Sequence, residues 1–365
     1  MELTPDLHRA YTSDRHIPAS QAQRMAHLIA FGPAIFQTAR IMLRSGILDA
    51  VAASADGMTI AEVARQFNLS DYSARCLLEA SLSAGILLVN PDNDRFSISK
   101  TGVFLLTDPS IDVNVDFNHF VNYRGWYQLE EALRQNRPAG LPTISDAPTV
   151  YEGLSRLAPE EQRSWFGFDH FYSDNSFNEA LKIVLASKPR TLLDVGGNTG
   201  KWALRCVEAD PDIRVTIADL PGQLGLMEEN IKGKPGAERI QGIAIDMLKP
   251  DSHFPEGTSY DAIWMSQFLD CFSADQVVDI LRKAATVMTP ESNLYIMETV
   301  WNRQRFETSA LCLTMTSLYF TAIANGNSKM FASEELISLI EKAGLRIVEI
   351  TDNIGWGHSI LHCRK

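Results

Sequence analysis

The residues best suited to chemistry lie in Thr191-Leu192-Leu193-Asp194-Val195-Gly196-Gly197-Asn198-Thr199-Gly200, with Asp219 closing Val215-Thr216-Ile217-Ala218-Asp219 nineteen residues later. An apolar run ends in Asp-x-Gly-x-x-x-Gly, and a helical pattern starts at Lys201. Glycines at such a turn let the backbone bend sharply and approach a ligand, and a carboxylate about 20 residues on is placed to hold the hydroxyls of a ribose. A nucleoside-bearing cofactor is therefore expected at the ends of two neighbouring strands.

The glycines stand at 196, 197 and 200, which is not the Gly-x-Gly-x-x-Gly of a dinucleotide site. Asp194, two residues before the first glycine, would repel a pyrophosphate and attract an ammonium. S-adenosylmethionine combines an amino-acid end with a ribose and an adenine, so it fits better than a nicotinamide dinucleotide. The bland alternative is a tight strand-to-helix turn without a ligand.

Elements that could position this site follow from periodicity. From residue 189 onward strands alternate with helices, which implies a parallel sheet covered on both faces. Strands are expected over 190–195, 213–218, 239–245, 260–266, 292–298, 345–351 and 358–364, and helices over 200–209, 222–231, 274–287 and 333–343. The last two strands are joined by Asp352-Asn353-Ile354-Gly355 and should form an antiparallel hairpin. Residues 20–105 read as helices followed by a hairpin at Asn90-Pro91-Asp92-Asn93, a winged-helix arrangement. Within it, Thr59-Ile60-Ala61-Glu62 is a capping box. The intervening connector is rich in aromatics, Trp126 among them, and carries His119 and His170. The uncharged stretch Thr308 to Ser328, with Met315 and Tyr319, reads as a buried or pocket-lining helix. Three segments are expected: 1–110, 111–185 and 186–365.

Bulk properties narrow the partners. The 365 residues are 45% hydrophobic with a net charge of −12, and residues 1–110 contain nine Lys/Arg against eleven Asp/Glu. That balance argues against nucleic acid even for a winged helix, and favours packing against a second subunit. Five scattered cysteines (76, 206, 271, 312, 363) indicate neither a zinc site nor a disulfide framework. With no signal-peptide pattern at the N-terminus and no membrane span, a cytoplasmic protein is expected.

Jointly, Leu193 to Gly200, Asp219-Leu220-Pro221, Asp246-Met247, and Phe331 to Leu336 before Lys342-Ala343-Gly344-Leu345 resemble the O-methyltransferases that carry an N-terminal winged-helix dimerisation domain. The resemblance runs from about Ala34 to the C-terminus. It implies a class I methyltransferase α/β fold with a seven-stranded Rossmann-like sheet, a homodimer formed through the N-terminal domain, S-adenosyl-L-methionine as cofactor, and a small aromatic or conjugated acceptor. It places Asp194, Gly196 and Gly200 in the cofactor loop. Asp219 and Leu220 fall at the ribose, Asp246 at the adenine amino group and Met247 on the adenine face. His119, Trp126, His170, Met315 and Tyr319 fall in the substrate pocket.

The departures are equally informative. Where the family reads Leu-His-Asp-Trp-Ser, this chain reads Leu269-Asp270-Cys271-Phe272-Ser273, so Asp270 replaces the general-base histidine. A frequent lysine four residues earlier is Ser266, which is still expected at the cofactor; the Glu of a Glu-Arg-Thr motif is Met330; and a third glycine is Asn198, a residue that tolerates left-handed backbone better than most, so cofactor binding should survive. An ordinary aspartate (pKa ≈ 3.9) faces a phenol (≈ 10) across roughly 8 kcal/mol, too much for efficient proton transfer, whereas burial raises a carboxyl by up to roughly 3–5 units. Asp270 is thus either a base for an acidic acceptor or a cap for the helix beginning near Ser273. O-methylation is the favoured reaction. Alternatives are C- or N-methylation, a non-catalytic cofactor-binding protein and, least favoured, a nicotinamide dehydrogenase.

Overall fold

The computed structural model describes all 365 residues. They divide into two compact units, Ser13–His119 and Met1–Thr12 together with Phe120–Lys365. The connector after residue 119 therefore groups with the sheet, and so do the first twelve residues. Leu7 is fully buried, and Thr4 Oγ1 donates to the Gln304 carbonyl at 2.7 Å.

In the smaller unit, helices Ala19–Ala30, Gly32–Arg44, Ile47–Ala53, Ile60–Gln66 and Asp71–Ser83 precede a two-stranded hairpin, β1 (Leu87–Asn90) and β2 (Arg95–Ile98). The capping box forms as expected. Thr59 Oγ1 accepts from the Glu62 amide, and a Glu62 carboxylate oxygen accepts from the Thr59 amide at 2.8 Å. Met42, Leu48, Val63, Leu78 and Phe96 close the core of this unit. No single helix is long and apolar enough to cross a membrane.

The larger unit is built on seven strands: β3 (Thr191–Val195), β4 (Arg214–Asp219), β5 (Ile240–Ala244), β6 (Tyr260–Ser266), β7 (Met288–Glu298), β8 (Arg346–Ile354) and β9 (His358–Arg364). Their order is β5-β4-β3-β6-β7-β9-β8. All neighbours are parallel except β9, which runs against both β7 and β8. The last two strands form the expected hairpin, and the reversed strand lies second from the edge.

Leu192, Leu193 and Val195 are almost wholly buried because helices cover both faces of the sheet. Helices Ala274–Thr286 and Ser333–Lys342 cover one face; Phe177–Val184, Lys201–Ala209 and Pro221–Ile231 cover the other. Chain order reverses at β3, which runs first to β4 and β5 and then returns to β6 on its other side. The loops leaving β3 and β6 diverge there, and an open α/β sheet binds ligands in that crevice.

Candidate active site

A cleft opens at this switch point. Asp194, Gly196, Gly197 and Asn198 line it from the β3 loop, and Ser266 and Gln267 from the end of β6. Asp169, His170, Ser173 and Asp174 enter from the connector helix Pro159–Asp174. Lys201 Nζ bonds Asp174 Oδ2 at 2.8 Å.

Asp194 ends the buried strand and is 2% exposed, and its Oδ2 has no hydrogen-bond partner. Burial, with the nearby Asp219 charge adding to it, pushes its carboxyl up to about 8. A buried carboxylate without a donor is costly, so this group is set to receive a cation. Gly196 has φ +76, and a Cβ there would run into the Phe268 ring. Asn198 takes the left-handed backbone expected of it, with φ 49. Its amide donates to Asp219 Oδ2 at 2.9 Å, while the Leu220 amide donates to Oδ1 at 2.7 Å. Asp219 thus ties the ends of β3 and β4 together, and its remaining lone pairs can take two hydroxyls. Burial raises its carboxyl pKa against the pull of those two amides.

Gly200 does not line the cleft. A Cβ there would meet Met227 Cγ at 3.0 Å and Ile231 Cγ2 at 3.2 Å, so this glycine serves the packing of helix against helix. Beyond β5, Asp246 Oδ1 accepts from the Leu248 amide at 3.0 Å and Met247 is buried. Asp194, Asp219, Asp246 and Met247 therefore fall at the carboxyl ends of three adjacent strands.

Asp270 lies on the short turn Leu269–Cys271 after β6 and is 4% exposed. Burial pushes its carboxyl up to about 6. It does not cap the next helix. The N-cap of Ala274–Thr286 is Ser273, whose amide donates to Gln276 Oε1 at 2.9 Å. Glu298, at the end of β7, holds the Asp270 turn: its Oε1 accepts from the amides of Phe268 (3.0 Å) and Leu269 (2.8 Å). Burial and the Asp270 charge raise Glu298 well above the usual carboxyl range. Met330, where the glutamate of the family's Glu-Arg-Thr motif would stand, is buried beside Thr299, whose Oγ1 lies 3.1 Å from its sulfur.

Tyr151, Cys271 and Tyr319 surround Asp270 closely enough to share its field. Cys271 Sγ is 3.5 Å from Asp270 Oδ1, and Trp165 Nε1 donates to Tyr319 Oη at 2.7 Å. Of the residues expected at the substrate, Tyr319 is gathered here, His170 lines the cofactor cleft, and Trp126 sits on the turn Gly125–Gln128. Met315 is 48% exposed on helix Glu307–Tyr319. His119 belongs to the smaller unit, 3.4 Å from Gln37 Nε2.

Residues 126–346 match the family model described as an O-methyltransferase domain, and residues 23–96 match a Dimerisation2-like domain. The chain belongs to the O-methyltransferase family. It is a methyltransferase dependent on S-adenosylmethionine. The mitomycin biosynthesis 6-O-methyltransferase of Streptomyces lavendulae is 25% identical over 297 residues, 79% of this chain and 80% of that protein. The L-tyrosine C(3)-methyltransferase of the same organism is 22% identical over 346 residues, 92% of this chain and 91% of that protein. Among solved structures, the methyltransferase SibL in its apo form superposes with a TM-score of 0.70 at 23% identity, covering 93% of this chain and 98% of that one. That likeness carries the class I fold.

The methyltransferase fits its cofactor by its own geometry: an orphaned buried Asp194 oxygen, a loop at Gly196 with no room for a side chain, and an Asp219 with lone pairs to spare. Sequence reading overlooked Asp169, Gln267 and Glu298. For Glu298 a signal existed, since like Asp194 and Asp219 it is a carboxylate closing an apolar strand.

Proposed function

We propose that this methyltransferase acts on an acidic oxygen, a phenol or conjugated enol, of a small aromatic acceptor, with Asp270 as the base. Asp194 would hold the amino group of S-adenosylmethionine, Asp219 and Leu220 its ribose end, and Asp246 and Met247 its adenine. The bound cofactor supplies a methyl group on a sulfonium that leaves as a neutral thioether. The chain itself must place the acceptor oxygen in line and remove its proton.

The observation that carries this reading is the burial of Asp270 on the turn that follows β6, the strand whose end lines the cleft, with the N-cap of the next helix at Ser273. With the carboxyl up at about 6, the gap to an ordinary phenol shrinks to roughly 4 units, or about 5 kcal/mol. For an acceptor ionising near neutrality the gap nearly closes. Glu298 fixes the turn that aims Asp270, and Tyr151, Trp165 and Tyr319 offer aromatic walls and hydroxyl contacts. The same deprotonation would activate a ring carbon beside the oxygen. That C-methylation is a second reading, supported by the L-tyrosine C(3)-methyltransferase matching nearly the whole chain. The N-terminal unit, matched to a dimerisation domain, would pair two copies.

Labelled-methyl transfer to small phenolic acceptors tests the reading. Asp270→Asn should lower turnover at least roughly tenfold, since a positioned base contributes about 10²–10⁴. Affinity for S-adenosylhomocysteine should stay unchanged. Undiminished turnover in Asp270→Asn would remove Asp270 as the base.

A further inference from the structure

The cleft at the β3 loop presents both signs of charge within one small cavity. Its volume is about 100 Å³, far short of the roughly 300 Å³ and more that enclose a whole drug-sized ligand. The groups that line it therefore stand within reach of the two ends of a single amino-acid head. Asp194 supplies one sign: it is 2% exposed, and its Oδ2 has no hydrogen-bond partner. Lys201, the first residue of helix Lys201–Ala209, supplies the other.

Lys201 is the one Lys or Arg among the lining residues. The other basic side chain there, His170, is held below its ordinary pKa by burial and by the Lys201 charge, so it is mostly neutral at neutral pH. Three carboxyls, Asp169, Asp174 and Asp194, share the cleft, and a ligand carboxylate entering among them needs a cation to meet it. Asp174 Oδ2 accepts one hydrogen bond from the Lys201 ammonium at 2.8 Å. An ammonium has three donors, so two remain for a ligand. The pair is 39% and 41% exposed, a setting in which an ion pair contributes little to stability. Its effect is to hold the ammonium on the wall of the cavity, since Asp174 ends the connector helix Pro159–Asp174 and Lys201 begins the helix after the glycine loop.

We propose that Lys201 receives the carboxylate of the methyl donor's amino-acid end, and that Asp174 is the positioning residue that keeps its ammonium turned toward the cavity. The head group is then held at both ends, its ammonium on Asp194 and its carboxylate on Lys201. The ligand class this selects is an α-amino-acid zwitterion carried on a nucleoside. A nucleoside without that end leaves both Asp194 and Lys201 unanswered. The N-terminal end of helix Lys201–Ala209 adds a favourable field for the same carboxylate. The inference rests on the assignment of the donor's amino group to Asp194.

The test is titration calorimetry of the full chain at neutral pH with S-adenosylhomocysteine, its analogue lacking the carboxylate and its analogue lacking the amino group. Wild type should bind S-adenosylhomocysteine at least roughly tenfold tighter than the analogue without the carboxylate, the lower end of what a charge-assisted hydrogen bond is worth. Lys201→Met keeps the apolar stem and removes the ammonium. It should lose that preference: affinity should fall roughly tenfold or more for the two ligands that carry the carboxylate and stay within a few-fold for the one that lacks it. Asp174→Asn should weaken S-adenosylhomocysteine by a smaller factor, since the ammonium remains. A wild type indifferent to loss of the carboxylate would overturn the proposal without any variant. So would a Lys201→Met protein that keeps the preference, or one that weakens all three ligands equally, the mark of a residue that only braces the fold. Failure of the Asp194 assignment would appear separately, as a wild type indifferent to loss of the amino group.

Discussion

Asp194→Asn should stabilise the ligand-free methyltransferase at neutral pH while weakening its hold on the cofactor. The Asp194 carboxyl titrates at about 8 in the folded chain because it is buried, against ≈ 3.9 when unfolded. Between those values the native state binds a proton that the unfolded state lacks. Its contribution to stability is therefore full below about pH 4 and is lost as pH rises through 8. While the native state holds the extra proton, the slope is about 1.4 kcal/mol per pH unit, so wild type should lose about 2 kcal/mol from this group between pH 6 and pH 8. Asparagine keeps the shape and the donor–acceptor pattern of the protonated acid and has nothing to titrate. Urea denaturation of the ligand-free proteins, extrapolated linearly at each pH, measures the difference. Asp169, Asp270 and Glu298 are common to both proteins and cancel to first order. A wild-type-minus-variant difference that stays flat from pH 6 to 8, or that favours wild type increasingly as pH rises, would refute the argument.

Two further outcomes are expected. Asp219→Ala removes the acceptor of the Asn198 and Leu220 amides as well as the proposed ribose contact; with charged hydrogen bonds worth about 1.5–3 kcal/mol each, calorimetry should show S-adenosylhomocysteine affinity falling at least roughly thirtyfold. Equal affinity would remove the ribose assignment. Light scattering should give about twice the chain mass of 40.6 kDa, with no salt-sensitive binding to duplex DNA, and a stable monomer at micromolar concentration would count against pairing through the N-terminal unit.

Sequence by itself determined whatever repeats locally or follows chain order. Strand–helix alternation gave the sheet, because a strand buried on both faces must be apolar throughout and its crossover must be helical. The Thr59 capping box, the left-handed Asn198 and the closing hairpin were legible because each is decided by a few adjacent residues. The carboxylates at 194, 219 and 246 could be placed at strand ends for the same reason.

Tertiary structure decided what depends on residues far apart in the chain. That Ser273 rather than Asp270 caps the helix is a choice between neighbours that sequence leaves balanced. Burial then raises the Asp270 carboxyl, and no local pattern reports burial. Glu298 reaches the Asp270 turn only because β6 and β7 pair in register, Ser266 against Met297. Gly200, read as part of the cofactor loop, proved to face Met227 and Ile231 once the helices packed. Asp169 looked like one more polar residue in an aromatic helix. Its place in the cleft beside Asp194 and Ser266 requires the connector to fold over the end of the sheet, which periodicity cannot encode.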